Sequence, residues 1–548
     1  MNYIDKFNEW LNNKYIDEDT KNELRGLDEK EKELRFFQDM EFGTAGLRGI
    51  VGAGTNCMNK YTVGKTAQGL ANYINENNKI KKVVIAYDSR HGSQLFSDVT
   101  AAVLNNAGIE TYIFEACRPV PLLSYAVKYL KAGYGVMVTA SHNPKEYNGY
   151  KIYKEDGGAI LSPEDLNITE SINNIKSYGD IVGLDLKLKD DSLYHTAPKE
   201  VDEEFINKTM AVSDTSKLDM SNFKIVYSPF CGTGYDFMVP SLNNLGFNVI
   251  CVEEQRYPNP EFPTVPYPNP EVYDAYEYAI KLAKNEDANV IIVSDPDADR
   301  LGVAAKDKSE EWKLFTGNQI AVIFANYLLA KKAFETGYIL KTIVSTNLIN
   351  KMADDYNVKV YDSLVGFKYL SDRINKIGTD GFILAFEESM GFAVASYVPD
   401  KNAISAGVLI SEIACSLANQ NKTLWDYLDE IHQKYMYPKE ESISHSYVGP
   451  EGQLQMKNII NKFRNSQIDS IANLKVETRI DYLNDDTGFE ASNIIRYVLE
   501  DGSWITIRPS GTEPKIKYYF QAFDKNESDA SLKLESLKNF VFEMIDNI

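Results

Sequence analysis

Apolar runs of strand length alternate with helical patterns along most of this chain, and the alternation restricts the possible folds. Segments such as SDVTAAVLNNAG and DAYEYAIKLAKN have helical spacing and lie between the runs. This order predicts α/β domains whose parallel sheets are buried on both faces. The predicted strands are KKVVIAYD (81–88), YGVMVTAS (134–141), FKIVYSPF (223–230), FNVICVE (247–253), NVIIVSD (289–295), TIVSTN (342–347) and FILAFE (382–387).

Three other stretches depart from this alternation. The first 40 residues predict helices so rich in Lys, Glu and Asp that a solvated surface is the simplest interpretation. The proline-rich stretch 257–271 cannot be a central strand or a helix, so an extended loop is expected there. Near the end, SWITIRPSG and IKYYFQAF predict strands of a smaller sheet, followed by an amphipathic helix.

The length of 548 residues indicates several domains, because a typical domain has roughly 150 residues. Charged or polar stretches at 187–200, 308–317 and 433–442 suggest where the boundaries fall. The predicted domains are 1–195, 196–312, 313–436 and 437–548.

Charge and cysteine usage exclude several classes of protein. A net charge of −21 disfavours a general nucleic-acid binder, which needs a concentrated basic face. No run approaches the ~20 apolar residues that span a bilayer, and the acidic start does not resemble a signal peptide. The 5 cysteines contain no CxxC pair, which suits reduced thiols and argues against structural zinc. A cytoplasmic protein is therefore expected, and a small anionic substrate remains possible if a few Arg and Lys side chains converge in a cleft.

The strand at 134–141 ends in Ser141 and His142, where parallel sheets bind their ligands. A serine at this position is a candidate nucleophile, although TASHN is not the GxSxG turn of hydrolases. The alternative is that the two residues only end the strand and cap the next helix.

The segment SDPDADR follows the predicted strand NVIIV directly. Asp295, Asp297 and Asp299 offer oxygen ligands for one hard cation. The segment is not an EF-hand, because Arg300 and Lys306 stand where that loop needs glycine and glutamate. A surface turn is the alternative, but three carboxylates after a buried strand would repel one another without a counter-charge.

Two further polar loops are weaker signals when each is taken alone. In FEESMGF (386–392), Glu387, Glu388 and Ser389 are suited to hydrogen-bonding sugar hydroxyls, but acidic residues also favour a helix start. RPSGTEPK (508–515) combines a guanidinium, two hydroxyls and a tight turn, which suits a phosphate dianion. A plain hairpin turn is the alternative for this second loop.

Taken together, these loops resemble the α-D-phosphohexomutase superfamily of phosphoglucomutases and phosphomannomutases. The matching motifs occur in the family's order and are GTAGLRG (43–49), TASHNP (139–144), DPDADR (295–300), FEESMG (386–391) and RPSGTEPK (508–515). The resemblance implies three related α/β domains with mixed sheets and a smaller C-terminal α+β domain around a central active-site cleft. The predicted domains then carry, in order, the phosphoserine, metal-binding, sugar-binding and phosphate-binding loops.

The resemblance also implies roles for individual residues. Ser141 would carry the phosphoryl group and, with Asp295, Asp297 and Asp299, bind Mg²⁺. Lys151 and Arg48 match positions proposed for acid–base work, and His142 lines the phosphoserine site. An arginine is a poor base because its pKa exceeds ~12, so Lys151 is the easier assignment. The implied substrate-binding residues are Arg300, Lys368, Glu387, Ser389, Arg508, Ser510, Gly511 and Thr512.

The expected activity is a phosphoglucomutase that interconverts α-D-glucose 1-phosphate and glucose 6-phosphate. It would use a phosphoserine enzyme, with glucose 1,6-bisphosphate as intermediate and activator. Alternatives within the family are a phosphopentomutase, a phosphomannomutase or a sugar-bisphosphate synthase. A serine phosphatase and an inactive sugar-phosphate binding protein are alternatives from other classes. A monomer or weak homodimer is expected.

Some positions depart from the family pattern. Cys231 stands where relatives often have histidine, and Phe386 replaces a glycine at the start of FEESMG. Phe386, the segment EYNGYKIY and the long chain are closest to the phosphoglucomutase-2-like branch. Ser389 directly after two glutamates, with Gly391 where mannomutase-like relatives more often have histidine, favours glucose over mannose.

Overall fold

The computed structural model describes residues 2–43, 46–331, 336–447, 449–510 and 515–546. Residues 1–317 together with 367–423 form one compact unit, and residues 318–366 together with 424–548 form a second. Within the described ranges, no helix combines the length and the apolar character that crossing a membrane requires.

The first part of the chain forms a six-stranded sheet with the order β1-β5-β4-β2-β3-β6. The pairs β2–β4, β2–β3 and β3–β6 are parallel, whereas β1–β5 and β4–β5 are antiparallel. The sheet is therefore mixed rather than wholly parallel. Its helices and those before it are α1 (Tyr3–Asn12), α2 (Glu18–Arg25), α3 (Glu29–Phe36), α4 (Lys60–Glu76), α5 (Ser93–Asn106), α6 (Val120–Tyr129) and α7 (Glu164–Asn173). Its strands are β1 (Leu47–Ile50), β2 (Lys82–Tyr87), β3 (Glu110–Ile113), β4 (Tyr134–Val138), β5 (Tyr147–Lys154) and β6 (Tyr194–Thr196).

The central strands β2 and β4 are buried along almost their whole length, as their β-branched and apolar sequences predict. The N-terminal helices, however, are not simply a solvated surface, and that expectation was wrong. Trp10, Leu24 and Phe36 are buried in a separate apolar cluster with Tyr61 of α4. The charges lie on the outer faces of α1–α3, and the few large apolar residues at helical spacing face inward.

The second part of the chain forms a five-stranded sheet with the order β11-β10-β9-β7-β8. Strands β7, β8 and β9 are parallel, and β10 and β11 are added antiparallel at one edge. The stretch 257–271 contains no α-helix or strand, as its prolines predict. The elements are α8 (Lys199–Met210), β7 (Lys224–Ser228), α9 (Tyr235–Asn244), β8 (Asn248–Cys251), α10 (Glu277–Glu286), β9 (Val290–Ser294), β10 (Leu301–Lys306) and β11 (Trp312–Leu314).

The third part contributes a parallel pair, β12–β13, to the second unit and an antiparallel pair, β14–β15, to the first. The strand predicted at 342–347 was misplaced. The strand observed there runs over Gly337–Thr342 instead. Ile343 and Val344 are buried in the turn that follows, which explains their apolar character. The elements are α11 (Gly317–Lys331), β12 (Gly337–Thr342), α12 (Leu348–Asp354), β13 (Val358–Ser363), α13 (Phe367–Ile377), β14 (Phe382–Glu387), β15 (Gly391–Ala393), α14 (Ala403–Ala418) and α15 (Leu424–Tyr435).

The last part forms an antiparallel sheet with the order β16-β21-β20-β19-β18-β17. Alternate residues such as Ile505, Ile507 and Tyr518 are buried against α16 and α17. The two predicted tail strands and the final helix are confirmed. The elements are β16 (Tyr437–Ser446), α16 (Gly449–Asn465), β17 (Ser470–Ile471), β18 (Leu474–Asp481), β19 (Ile495–Leu499), β20 (Trp504–Pro509), β21 (Lys515–Asp524) and α17 (Glu527–Asp546).

Candidate active site

Ser141 lies in the loop that follows β4, and its side chain is buried within the first unit. Its backbone has a φ of +53°, a left-handed conformation that non-glycine residues seldom adopt and that costs on the order of 1 kcal/mol or more. The Ser141 N–H donates to Thr139 Oγ1 at 2.8 Å, which helps to hold this conformation. The strand therefore ends with a strained backbone that fixes the direction of one hydroxyl.

That hydroxyl points at the first aspartate of the second polar loop. Ser141 Oγ donates to Asp295 Oδ2 at 2.8 Å, and His142 Nδ1 lies 3.2 Å away. Burial, followed by the charges of Arg300 and Arg48, lowers the pKa of His142 well below its ordinary value. The imidazole is therefore neutral near pH 7 and adds no charge beside Ser141.

The DPDADR loop follows β9 and is held by backbone hydrogen bonds from other parts of the unit. Val120 N at the start of α6 donates to the Asp297 carbonyl at 2.9 Å, and Ala403 N at the start of α14 donates to the Ala298 carbonyl at 3.2 Å. Ala298 has a φ of +51°. Like the serine loop, this loop keeps an unfavourable backbone conformation because its surroundings fix it.

Asp295, Asp297 and Asp299 are buried, and each offers a carboxylate oxygen within 4.8 Å of the others. Burial and mutual repulsion raise the pKa of Asp295 and of Asp299. Burial would raise the pKa of Asp297 too, but Lys151, a hydrogen bond with Asp295 and Lys401 together outweigh burial, and the pKa is lowered. Asp297 Oδ1 and Asp299 Oδ1 are buried without a hydrogen-bond partner among the described residues. The triad could therefore bind a metal ion, which would satisfy these oxygens and offset the repulsion.

Two lysines supply positive charge to the triad. Lys151 Nζ on β5 lies 3.1 Å from Asp297 Oδ2 and 3.7 Å from Asp299 Oδ2. Lys401 Nζ lies 3.5 Å from Asp299 Oδ2 and 3.2 Å from Glu387 Oε1. Lys401 directly precedes Asn402, whose side chain caps the N-terminus of α14. The start of this helix therefore fixes the position of the Lys401 backbone.

The FEESMG loop joins the same cluster. Glu387 ends β14 and is buried, and although burial would raise its pKa, Lys401 and Arg300 lower it below the ordinary value. The Ser389 side chain hydrogen-bonds to Glu387. Leu301 N donates to the Met390 carbonyl at 3.0 Å, and Met390 has a φ of +65°. Glu387 is therefore an ionised acceptor beside the DPDADR loop.

The other predicted cationic site residues of the first unit, Arg300, Arg48 and Lys368, differ in their contacts. Arg300 Nη1 is 3.6 Å from Glu271 Oε2, in the proline-rich loop. Arg48 on β1 donates to Asn143 Oδ1 at 3.1 Å. The Arg48 side chain reaches solvent, but the surrounding protein removes enough water from the guanidinium to lower its pKa, against the attraction of Asp297. Lys368 lies at the start of α13, with its ammonium 4.9 Å from the ring centroid of Tyr369.

The predicted phosphate-binding loop belongs to the second unit. Arg508 is in β20, opposite Lys517 of β21, and Ser510 N donates to the Lys515 carbonyl at 2.8 Å. Gly511 and Thr512 lie outside the described residues.

Sequence reasoning missed three side chains that the structure brings to this site. Lys401 was missed because its loop contains no motif. Asp88 and Arg90 follow β2 directly and lie beneath the Ser141 loop. The rule that ligands bind beyond the carboxyl ends of parallel strands, which selected Ser141, would also have selected DSR after KKVVIAY.

Sequence models of the phosphoglucomutase/phosphomannomutase family match four successive parts of the chain. The matched parts are alpha/beta/alpha domain I at residues 39–179, domain II at 203–308, domain III at 316–435 and the C-terminal domain at 471–533. The expected fold of three α/β domains with a smaller C-terminal domain is confirmed.

Curated relatives and solved structures agree with this match. The chain is 34% identical to a phosphoglucomutase of Staphylococcus haemolyticus, over 93% of this chain and 95% of the relative. It is 35% identical to a phosphoglucomutase of Staphylococcus epidermidis, over 88% and 90% of the two chains. The pp63/parafusin phosphoglucomutase of Paramecium has a TM-score of 0.71 at 19% identity, covering 93% of this chain and 96% of that one. A phosphoglucomutase/phosphomannomutase family protein of Burkholderia thailandensis has a TM-score of 0.70 at 16% identity, covering 92% and 97%. At these identities the two structures support the fold alone.

Proposed function

Because the chain belongs to the phosphoglucomutase/phosphomannomutase family and is an isomerase of the phosphohexomutase type, we propose that it interconverts α-D-glucose 1-phosphate and glucose 6-phosphate. The observation that carries the proposal is the hydrogen bond of 2.8 Å from Ser141 Oγ to Asp295 of the aspartate triad. A serine hydroxyl fixed against three buried carboxylates is suited to carry a phosphoryl group beside a cation. The names of the curated relatives support glucose as the sugar.

The proposed cycle has two transfers. Phosphorylated Ser141 gives its phosphoryl group to the 6-hydroxyl of α-D-glucose 1-phosphate. The Ser141 Oγ–P bond breaks, a bond from phosphorus to the sugar O6 forms, and the product is glucose 1,6-bisphosphate. After the bisphosphate reorients, its other phosphoryl group returns to Ser141 Oγ, and the isomeric monophosphate leaves. Glucose 1,6-bisphosphate also serves as the activator that phosphorylates Ser141 at the start.

We assign the metal as Mg²⁺, held by Asp295, Asp297, Asp299 and an oxygen of phosphorylated Ser141. The donor set consists of oxygens, which suits a hard cation, and two buried carboxylate oxygens have no other described partner. When bound, Mg²⁺ supplies positive charge for the oxygens of the transferring phosphoryl group.

Proton transfer to and from the sugar hydroxyl is assigned to Lys151 and Arg48. Lys151 is the stronger candidate, because an ammonium loses its proton far more readily than a guanidinium. Its Nζ lies 3.1 Å from Asp297 Oδ2, on the triad that faces Ser141. Arg48 contacts the serine loop through Asn143 and adds positive charge there.

Glu387 accepts hydrogen bonds from sugar hydroxyls, because its carboxylate is ionised and buried. Ser389 contributes a hydroxyl that can donate or accept a hydrogen bond. Arg300, Lys368 and His142 complete the surroundings of the reacting phosphate and sugar. Arg508, Ser510, Gly511 and Thr512 form the binding loop for the phosphate that is not being transferred; this assignment is supported by the motif and by the family match.

One assay tests the proposal against its alternatives. Glucose 1-phosphate, mannose 1-phosphate and ribose 1-phosphate are each incubated with the enzyme, Mg²⁺ and a trace of the matching bisphosphate, and ³¹P NMR follows the products. Isomerisation fastest with glucose 1-phosphate, and its loss in Ser141→Ala, supports the proposal. Faster turnover of mannose or ribose phosphate identifies a phosphomannomutase or a phosphopentomutase. Free phosphate identifies a phosphatase, and no reaction a binding protein. A parallel reaction that also contains an acyl phosphate as phosphoryl donor tests for a synthase, which would accumulate bisphosphate there.

A cytoplasmic location is proposed from the free thiols of all 5 cysteines, which suit a reducing compartment. A monomer or weak homodimer also stays a prediction, which sedimentation velocity at several protein concentrations would test.

A further inference from the structure

Asp88 and Arg90 form a buried ion pair under the serine loop, outside the set of residues assigned above. Arg90 Nε lies 3.3 Å from Asp88 Oδ2, and neither side chain reaches solvent. The guanidinium lies over the Phe262 ring at 5.1 Å from its centroid. A buried charged pair is not by itself a source of stability, so the contacts of the pair must indicate its role.

Arg90 directs its N–H groups to the backbone of the serine loop. Nη1 donates to the carbonyls of Pro144 at 2.8 Å and Tyr147 at 3.0 Å. Nη2 donates to the carbonyls of Ser141 and Asn143, both at 2.5 Å. One planar group therefore fixes four carbonyls within seven consecutive residues, a geometry that the single ammonium of a lysine cannot reproduce.

Asp88 holds the same loop through Thr139. Thr139 Oγ1 donates to Asp88 Oδ2 at 2.6 Å and accepts the Ser141 N–H at 2.8 Å. The same hydroxyl lies 3.1 Å from Asp297 Oδ2 of the triad. The ion pair thus controls both the N–H and the carbonyl of Ser141, whose φ of +53° requires such support.

We propose that the Asp88–Arg90 pair is a positioning device that holds Ser141 Oγ in line for phosphoryl transfer. Arg90 is a positioning residue and not a catalytic one, because it is buried and both of its Nη groups donate to the loop carbonyls. A displacement of about 1 Å at a reacting atom can reduce a rate by as much as a hundredfold, so loosening the loop should lower kcat more than substrate affinity. This inference rests on the proposed function.

The test compares Arg90→Lys and Arg90→Met with wild type and with Arg118→Met. Arg118 is a matched control: it also pairs with a carboxylate, at 2.8 Å from Asp202, and lies over aromatic rings, but its hydrogen bonds do not go to the serine loop. The measurements are kcat, KM for glucose 1-phosphate, and the rate at which Ser141-phosphorylated enzyme loses phosphate to water.

We expect kcat to fall at least about tenfold in Arg90→Lys, with KM within about twofold of wild type and faster loss of phosphate to water. Arg118→Met should keep the wild-type kcat. If Arg90→Lys keeps kcat within about twofold of wild type, or if it changes kcat and KM no more than Arg118→Met does, the inference is wrong. Because Arg90→Lys retains the charge beside Asp88, it keeps the test decisive even if Arg90→Met does not fold.

Hydrogen exchange of the peptide covering residues 139–147 separates this inference from the proposed function, since it needs no substrate. Exchange should be faster in Arg90→Lys than in wild type and in Arg118→Met. If wild type does not isomerise sugar phosphates but this exchange difference is found, the proposed function fails and the loop-holding role stands. If exchange in Arg90→Lys equals that of wild type, the role assigned to the pair is refuted.

Discussion

Replacing Lys401 by methionine should destabilise the first unit strongly, because it removes a cation from between two buried carboxylates. Lys401 Nζ lies 3.5 Å from Asp299 Oδ2 and 3.2 Å from Glu387 Oε1, and these acidic side chains are only 1% and 7% exposed. At an effective dielectric constant of about 20, each contact is worth roughly 5 kcal/mol before desolvation. Removing one partner of a buried pair costs about 3 to 5 kcal/mol, and we expect a loss in that range.

Lys154→Met is the matched control, since Lys154 also bridges two carboxylates. Its Nζ lies 3.0 Å from Asp156 Oδ2 and 3.8 Å from Asp372 Oδ1, but these side chains are 30% and 19% exposed. Water screens such pairs, so we expect a loss of no more than about 1 kcal/mol. The free energy of unfolding would be measured by urea denaturation of both variants and wild type.

Mg²⁺ extends the comparison between the two lysines. The ion should recover part of the stability lost in Lys401→Met, because it supplies positive charge beside Asp299, and should not do so in Lys154→Met. Equal losses in the two variants, with no selective recovery by Mg²⁺, would show that carboxylate burial does not govern the electrostatics of this site.

Three further predictions concern the metal, the distal phosphate and pH. Asp297→Asn should raise the Mg²⁺ concentration needed for half-maximal activity without unfolding the protein, as measured by Mg²⁺ titration and circular dichroism; full wild-type activity in excess chelator would refute the metal assignment. Arg508→Ala should lower kcat/KM at least about tenfold in both directions, because a charge-assisted bond to phosphate is worth about 1.5 to 3 kcal/mol; unchanged steady-state kinetics would contradict it. Burial lowers the pKa of His432 from 6.5 to about 4, so the unfolded chain takes up the proton first. The buried, neutral His432 should contribute its full stabilisation above pH 6.5, and the free energy of unfolding should fall by up to about 3 kcal/mol towards pH 4. Urea denaturation at several pH values would measure this fall, which His432→Phe should lack.

The sequence predicted the candidate site residues best where polar side chains stand at the end of a strand. Ser141 and the aspartate triad follow buried apolar strands, Glu387 ends one, and ligands bind beyond the carboxyl ends of such strands. Local pattern and position in the fold agree at these loops. Because β4, β9 and β14 belong to three different sheets, this rule selects each loop separately, and only the family resemblance implied that the loops share one site.

Other features could not be predicted because they depend on contacts between distant segments. Lys401 is linked to the triad only by tertiary structure, through the placement of the α14 start against the Ala298 carbonyl. The strand near residue 342 was misplaced because burial in a turn gives the same apolar pattern as burial in a strand. The residue type of Ser141 does not predict its positive φ, because contacts with Thr139 and Arg90 stabilise this conformation.

The most direct test of the proposed function is to locate the phosphoryl group during turnover. The enzyme would be incubated with glucose 1,6-bisphosphate and Mg²⁺, quenched, digested and sequenced by tandem mass spectrometry, with and without added glucose 1-phosphate. We predict one phosphoryl group on Ser141, which is depleted when the monophosphate is added while glucose 6-phosphate forms. Phosphate on another residue, or isomerisation by Ser141→Ala at the wild-type rate, would contradict it.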